Sequence, residues 1–465
     1  MDMFKSVIYS RRRLLLKKRM KTGLLLFLGN EESPMNYAAN GYRFRQDSTF
    51  LYYFGLAEPG LAAVIDLDAD QEILFGNDLE LDDIIWMGNL PSMSEKTRQI
   101  GVKQHRPLNR LPEYLAGAVK HRRKIHYLPP YRSEHYLKIN NLLGIRVQAV
   151  KNYPSVDFIK AVVAQRNIKS KEEIAQIEQA HAITYQMHLT AMRKARPGIY
   201  ERDLAGEIEG LALAGGGTVA FPVILSVRGE ILHNHYHGQR LKTGQLLVND
   251  SGAETELGYA ADITRTFPVS GRFTAQQADI YNLVLQAQLA AIQAIRPGKK
   301  YYDIHRLVCR IFAAGLKDLK LMRGDCDEAV QQGAHALFFP HGLGHMLGLD
   351  VHDMENLGEI YVGYDGQLKR SEQFGLAYLR LARKLEPGFV LTVEPGLYFI
   401  PALIKKWKSE KRFVNFINYQ QVEKFLNFGG IRIEDNVLVT GQGQRVLGKP
   451  IPKEIKELEN IIGKG

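Results

Sequence analysis

From Ser170 onward the sequence repeats itself, and this self-similarity limits the available folds more than any other feature. Ser170, with Glu173 three residues on, has the form of a capping box. A helix is expected from there through Ile174, Ile177 and Met187, stopping at Arg196-Pro197-Gly198. Thr274 and Gln277 open a second helix, with Ile280, Val284, Ala287 and Ala291 on one face and a stop at Arg296-Pro297-Gly298. Proline cannot continue a helix and glycine readily ends one. An aspartate follows each glycine by five residues, at Asp203 and Asp303.

The parallel continues downstream. Gly244 leads to Asp250 and Gly252, and Gly388 leads to Glu394 and Gly396, with the carboxylate six residues after the first glycine both times. The segments 245–248 and 389–393 are apolar enough for strands. Each half then offers a second carboxylate, Asp262 or Glu434, followed by a strand-like run ending at Gly271 or Gly441. The offset between halves grows from 100 residues (Gly198 to Gly298) to 144 (Gly244 to Gly388) and 172 (Asp262 to Glu434). The second half therefore carries two insertions, near 357–384 and 398–428, both rich in Lys, Arg and aromatic residues and expected to be helical. A duplicated α/β unit is the reading that joins these matches.

The first 165 residues carry no such repeat. Arg11-Arg12-Arg13 to Arg19 reads as a basic helix followed by a buried strand, since the apolar stretch after Lys21 is too short for a signal peptide. Segments 61–66 and 72–75 read as strands, and Phe50, Tyr52, Tyr53 and Phe54 as an aromatic core. No metal or nucleophile constellation is visible there. The expectation is an N-terminal α/β domain over 1–165 and a second, duplicated domain over 166–465. A length of 465 residues accommodates two domains. No apolar run approaches the ~20 residues that span a bilayer. Two cysteines, Cys309 and Cys326, exclude a disulfide framework or a cysteine-based zinc site and fit a reducing compartment. A net charge of +11 permits an acidic partner without demonstrating one.

Two halves related by a pseudo-twofold axis would set Asp250 opposite Glu394 and Asp262 opposite Glu434. Four carboxylates converging in an interior cannot all ionise uncompensated, and divalent cations are the physical remedy. Oxygen ligands favour Mn, Mg or similar ions; an imidazole would shift the choice towards Mn, Fe, Co or Zn. His341 and His345, four apart among three glycines, do not form the helical zinc motif, but on a strand they would share one face. His352 follows, and His233, His235 and His237 sit at strand spacing in the other half, with His235 and His237 expected outside any ligand set. Leu391, Val393 and Leu397 argue that Glu394 is buried.

These residues resemble a known family. Asp250, Asp262-Ile263-Thr264-Arg265-Thr266, His341-Gly342-Leu343-Gly344-His345, Val393-Glu394-Pro395-Gly396 and Gly430-Ile431-Arg432-Ile433-Glu434-Asp435 are similar to the signature of the pita-bread (M24) metallopeptidases, over about 171–465. Tyr42 to Phe50 and Tyr52 to Gly60 resemble the creatinase/aminopeptidase P-like N-terminal domain. Together they resemble the aminopeptidase P (Xaa-Pro aminopeptidase) family.

The resemblance implies a pita-bread catalytic domain holding two divalent ions, manganese first, with cobalt, zinc or iron as alternatives. It implies Asp250 on one metal, Asp262 and Glu434 bridging, and His345 and Glu394 completing the second. It gives His233, His341, His352 and Arg432 supporting roles and Glu394 that of proton shuttle. A hydroxide bridging the metals would attack the carbonyl before proline, releasing the N-terminal residue of peptides with proline second. The spacing from Asp250 to Asp262 is 12, one more than is common in the family, which a hairpin turn should absorb. Prolidase, cutting only Xaa-Pro dipeptides, is the alternative; a non-catalytic binding module is the remote one. Expected partners are proline-containing peptides, not nucleic acid or membrane. A cytoplasmic homo-oligomer, dimer or tetramer, is the further expectation.

Overall fold

The computed structural model describes residues 3–464 and divides into two compact units. One holds the chain up to Arg166 together with Met354–Tyr361; the other holds Asn167–Asp353 and the chain from Val362.

In the first unit, five strands form one sheet: β1 (Leu24–Leu28), β2 (Ala62–Asp66), β3 (Gln71–Phe75), β4 (Gln104–Arg106) and β5 (Ile125–His126), in the order β4-β3-β2-β1-β5. Strand β1 is a continuous apolar run because both its faces are covered. The helix Ser48–Phe54 is wholly buried, and the rings of Tyr53, Phe54 and Phe158 lie 5.2–5.3 Å from that of Phe27. The basic stretch is the helix Ser6–Arg19. Its Arg13 is buried because its guanidinium donates to the carbonyls of Tyr53 and Ile100 and to Glu72.

The second unit shows the duplication. Helices Lys171–Lys194 and Ala275–Ala294 both open on a closed capping box, Ser170 with Glu173 and Thr274 with Gln277. The first half adds β6 (Thr218–Val219), β7 (Ile224–Ser226), β8 (Leu246–Ser251), β9 (Ala253–Glu254) and β10 (Ile263–Pro268). The second adds β11 (Val390–Val393), β12 (Gly396–Tyr398), β13 (Gly430–Arg432), β14 (Asp435–Val439) and β15 (Gln444–Val446). Antiparallel pairs β8–β10 and β11–β14 correspond: Asp250 lies opposite Thr264 in one, Thr392 opposite Asn436 in the other. The two pairs meet through matched bonds. The Glu434 N–H donates to the Thr264 carbonyl at 3.0 Å, and the Asp262 N–H to Asn436 Oδ1 at 3.0 Å.

The halves diverge beside β8 and β11. In the first, β7 lies along β8, with Ser226 opposite Val248. In the second, residues 343–347 lie along β11 through bonds from Leu347, Thr392 and Glu394 N–H, each 2.9 Å, with one bridge at Met346. Val248 and Thr392 each stand four residues after their glycine, so Ser226 and His345 occupy equivalent places. The stretch 341–347 is not a regular strand. Gly344 is needed there because a Cβ would lie 2.1 Å from the Thr392 carbonyl oxygen.

Two expectations need correction. Insertion 357–384 is helical only at its start, where the turn Glu355–Leu357 ends and Glu359–Val362 follows, and over the short turn Leu376–Tyr378. Its backbone must pass close to itself: a Cβ on Gly363 would lie 1.7 Å from the Arg380 carbonyl oxygen, and Gly366 and Gly375 have positive φ. The other insertion contains helices Pro401–Ser409 and Tyr419–Val422. His233, His235 and His237 are not on a strand; they lie on a loop, because backbone groups at both its ends bond to Glu201 instead of a neighbouring strand. Among the described residues no helix is long and apolar enough to cross a membrane.

Candidate metal centre

Asp262 and Glu434 each stand one residue ahead of a strand, β10 and β14, and the meeting of those strands brings their side chains together. Oxygens of Asp262 and Glu434 and a ring nitrogen of His345 lie within 4.8 Å of one another, all three residues buried. Asp250, on β8, lies close enough to Asp262 for its charge to act on that carboxyl. Glu394, one residue past β11, places Oε1 3.5 Å from His345 Nε2. The hairpin between β8 and β10, with Gly258 in its turn, links Asp250 to Asp262.

The hydrogen bonding prepares these groups as ligands. His345 Nδ1 lies 3.0 Å from the Met346 carbonyl, an acceptor that fixes the ring proton on Nδ1. Nε2 then turns its lone pair towards Asp262 Oδ2 and Glu394 Oε1, each at 3.5 Å. Lone pairs facing one another at that range fit donors sharing a cation. Asp250 Oδ1 and Glu434 Oε1 are buried with no hydrogen-bond partner, the sort of atom a metal would satisfy.

Electrostatics point the same way. Burial, then the nearby Asp250, holds the Asp262 carboxyl well above the usual range. Burial, then Asp262, does the same to Glu434. Burial pushes Glu394 up to about 7, against the opposing charges of His345 and Arg432. Acids that resist ionising together are what a divalent cation stabilises in their charged form.

Around them stands a second layer. Arg432, at the end of β13, donates to Asp250 Oδ2 at 2.5 Å, to Thr264 Oγ1 at 3.0 Å and to the Tyr398 hydroxyl at 2.9 Å. Thr264 donates to Glu434 Oε2 at 2.8 Å. The Tyr398 hydroxyl is also 2.9 Å from His341 Nε2. Burial, then the Arg432 charge, lowers His341 to about 3, so its imidazole is neutral. His341 and His345 both face Glu394, His341 Nδ1 lying 3.9 Å from Oε2. The His352 ring is 4.2 Å from that of His345. His233, on the loop 227–239, is exposed; partial burial of its ring and the Arg432 charge lower its pKa. His235 is exposed, and His237 contacts the Val223 carbonyl at 3.1 Å.

The structure thus gathers Asp250, Asp262, His345, Glu394 and Glu434, with Arg432, His341 and His352 against them and His233 at the edge. Sequence reasoning passed over Tyr398, Asn436 and Arg380. Asn436 stands two residues after Glu434 as Thr264 stands two after Asp262, a symmetry that could have revealed it. Arg380 lies in the 357–384 insertion, and its charge acts on both His233 and His341.

Comparison with known proteins adds independent findings. The model of metallopeptidase family M24 matches residues 175–441, and that of the aminopeptidase P N-terminal domain matches residues 9–127. The Xaa-Pro aminopeptidase of Escherichia coli (strain K12) is 31% identical over 465 residues, covering 98% of this chain and 97% of its own. The human Xaa-Pro dipeptidase is 31% identical over 453 residues, covering 94% and 88%. Among solved structures, aminopeptidase P from Escherichia coli with the inhibitor Pro-Leu superposes with a TM-score of 0.80 at 31% identity, covering 99% and 98%. Proline aminopeptidase P II from Yersinia pestis gives 0.81 at 30%, covering 98% and 99%.

Proposed function

This chain belongs to metallopeptidase family M24, and we propose that it is an Xaa-Pro aminopeptidase, removing the N-terminal residue from peptides whose second residue is proline. Residues 1–165 form its aminopeptidase P N-terminal domain and 166–465 its catalytic domain. The observation that carries the reading is the convergence of Asp250, Asp262, His345, Glu394 and Glu434, with two buried carboxylate oxygens unpaired, in a chain that also carries the N-terminal domain of aminopeptidase P.

In this reading Asp250, Asp262, His345, Glu394 and Glu434 would together hold two divalent ions, with Asp262 and Glu434 at the middle of the set. Manganese suits four carboxylates and one imidazole; cobalt, zinc or iron are alternatives. When bound, such a pair lowers the pKa of water and polarises the scissile carbonyl. The chain's own groups do the rest. A Glu394 oxygen takes the proton released by the attacking water and returns it to the leaving nitrogen. His352, beside His345, donates to the oxygen that becomes negative. Neutral His341, oriented by Tyr398, and His233 line the proline side, where the substrate nitrogen has no proton to offer. Arg432 holds Asp250 in its orientation through their ion pair.

A second reading is prolidase, which the equal identity to the human Xaa-Pro dipeptidase favours. Turnover of Xaa-Pro-Xaa against Xaa-Pro peptides in manganese-supplemented buffer separates them; cleavage restricted to dipeptides contradicts the aminopeptidase assignment. The enzyme is proposed to act in the cytoplasm as a homo-oligomer, dimer or tetramer.

A further inference from the structure

We infer that Glu201, Ser226 and Asn234 form a clamp that positions His233, and that Ser226 does so from the place which His345 occupies in the other half of the duplication. The inference rests on the reading of His233 as a substrate-contacting group.

The loop 227–239 leaves β7 and returns thirteen residues later, with His233 midway. Both its ends attach to one side chain. Glu201, fully buried at the start of the helix Glu201–Ala214, accepts from the Val227 N–H at 2.8 Å through Oε1 and from the Gln239 N–H at 3.2 Å through Oε2. Backbone bonds reinforce the closing end, from Glu201 N–H to the Gln239 carbonyl and from Arg202 N–H to the His237 carbonyl. The opening end is held against β13, since a Cβ on Gly229 would lie 2.7 Å from the Gly430 carbonyl oxygen.

The middle of the loop is fixed through Ser226. Its buried hydroxyl lies beside the Glu201 carboxylate and accepts from the Arg228 N–H at 3.0 Å and from Asn234 Nδ2 at 2.8 Å. A hydroxyl has two acceptor sites, and Ser226 uses both on the loop. Asn234 Oδ1 in turn accepts from the Tyr236 N–H at 3.1 Å. With Asn234 tied inward, the neighbouring His233 is presented outward, where the charges of Arg432 and Asp250 act on it. The duplication explains the origin of the device. His345 and Ser226 stand at matching points beside β11 and β8. One half uses that point for a metal ligand; the other uses a short hydroxyl to anchor the loop.

A double-mutant cycle tests this on the manganese-loaded full chain with an Xaa-Pro-Xaa peptide. Asn234→Ala is expected to lower kcat/KM about tenfold, the scale on which contacting residues couple. In a His233→Ala background the same change is expected to cost less than about twofold. Bound manganese should be unchanged in all variants. Ser226→Thr, which keeps the hydroxyl, should retain activity that Ser226→Ala loses; should Ser226→Ala fail to fold, the partly exposed Asn234 still decides. An undiminished kcat/KM in Asn234→Ala, or equal losses in both backgrounds, overturns the clamp. An undiminished kcat/KM in His233→Ala instead overturns the premise about His233, and the clamp with it.

Discussion

The guanidinium of Arg432 donates to Asp250 Oδ2 at 2.5 Å, while Oδ1 of the same carboxylate is buried with no hydrogen-bond partner. One oxygen is held by the protein and the other is left for a ligand. Arg432 therefore sets the direction in which Asp250 presents its free oxygen, and its bonds to Thr264 and Tyr398 fix the guanidinium itself. Replacing it by lysine keeps a charge and loses the planar fork. Arg432→Lys is expected to lower manganese affinity and kcat/KM by about 10–100-fold, as losing an outer partner of a ligand does elsewhere. Metal titration alongside steady-state kinetics measures both.

Thr264 holds two groups of the site at once, accepting from Arg432 Nε and donating to Glu434 Oε2. Thr264→Val keeps the shape and removes both bonds. Each buried group left unsatisfied costs about 1–3 kcal/mol. Chemical denaturation of the metal-free protein should show a loss in that range, and manganese affinity should fall with it.

The acids of the centre give the metal-free protein a pH dependence of known sign. Glu394 is pushed from 4.5 up to about 7, chiefly by burial. Between those values the folded state keeps a proton that the unfolded state has released, so this stabilising contribution is lost as pH rises towards 7. The metal-free protein should therefore lose more thermal stability between about pH 5 and 7 than metal-free Glu394→Gln does. Bound manganese should reverse the trend, because ligands must be deprotonated to bind. Melting curves of both proteins across that range, with and without metal, check it.

Lys169 and Asp353 form an ion pair whose side chains are each 1% exposed, at 2.8 Å. The Asp353 N–H also bonds to the Met346 carbonyl, so the pair braces the segment between His345 and His352. Removing one member of a buried pair typically costs about 3–5 kcal/mol. Lys169→Met is expected to lose that much in urea unfolding, and to weaken activity through the displaced His352.

The four carboxylates that converge were legible because duplication prints their spacing twice. Gly244 with Asp250 and Gly388 with Glu394 repeat one spacing, and Asp262 and Glu434 recur at the start of matching strands. Tyr398 was not legible: an aromatic residue two positions past Gly396 reads as core, and only the tertiary approach of His341 and Arg432 gives its hydroxyl a task. The alternating His233, His235 and His237 imitate a strand, yet the buried carboxylate of Glu201 takes the backbone N–H groups of Val227 and Gln239 at the loop's ends. Insertion 357–384 has the composition of a helix, but Tyr364, Leu379 and Ala382 find their core contacts through a folded-back chain rather than along one helical face. The basic residues there and at Lys405 and Lys406 made the net charge of +11 a poor guide, since the proposed chemistry rests on four acids.

The most direct test is to measure bound manganese and Xaa-Pro-Xaa cleavage in the same preparations of the wild-type protein and the Asp262→Asn variant. Two ions per chain with cleavage in the first, and loss of both in the second, are the expected results. Full cleavage by Asp262→Asn with both ions still bound, or by wild-type protein freed of metal, would contradict a dinuclear centre with Asp262 and Glu434 at its middle.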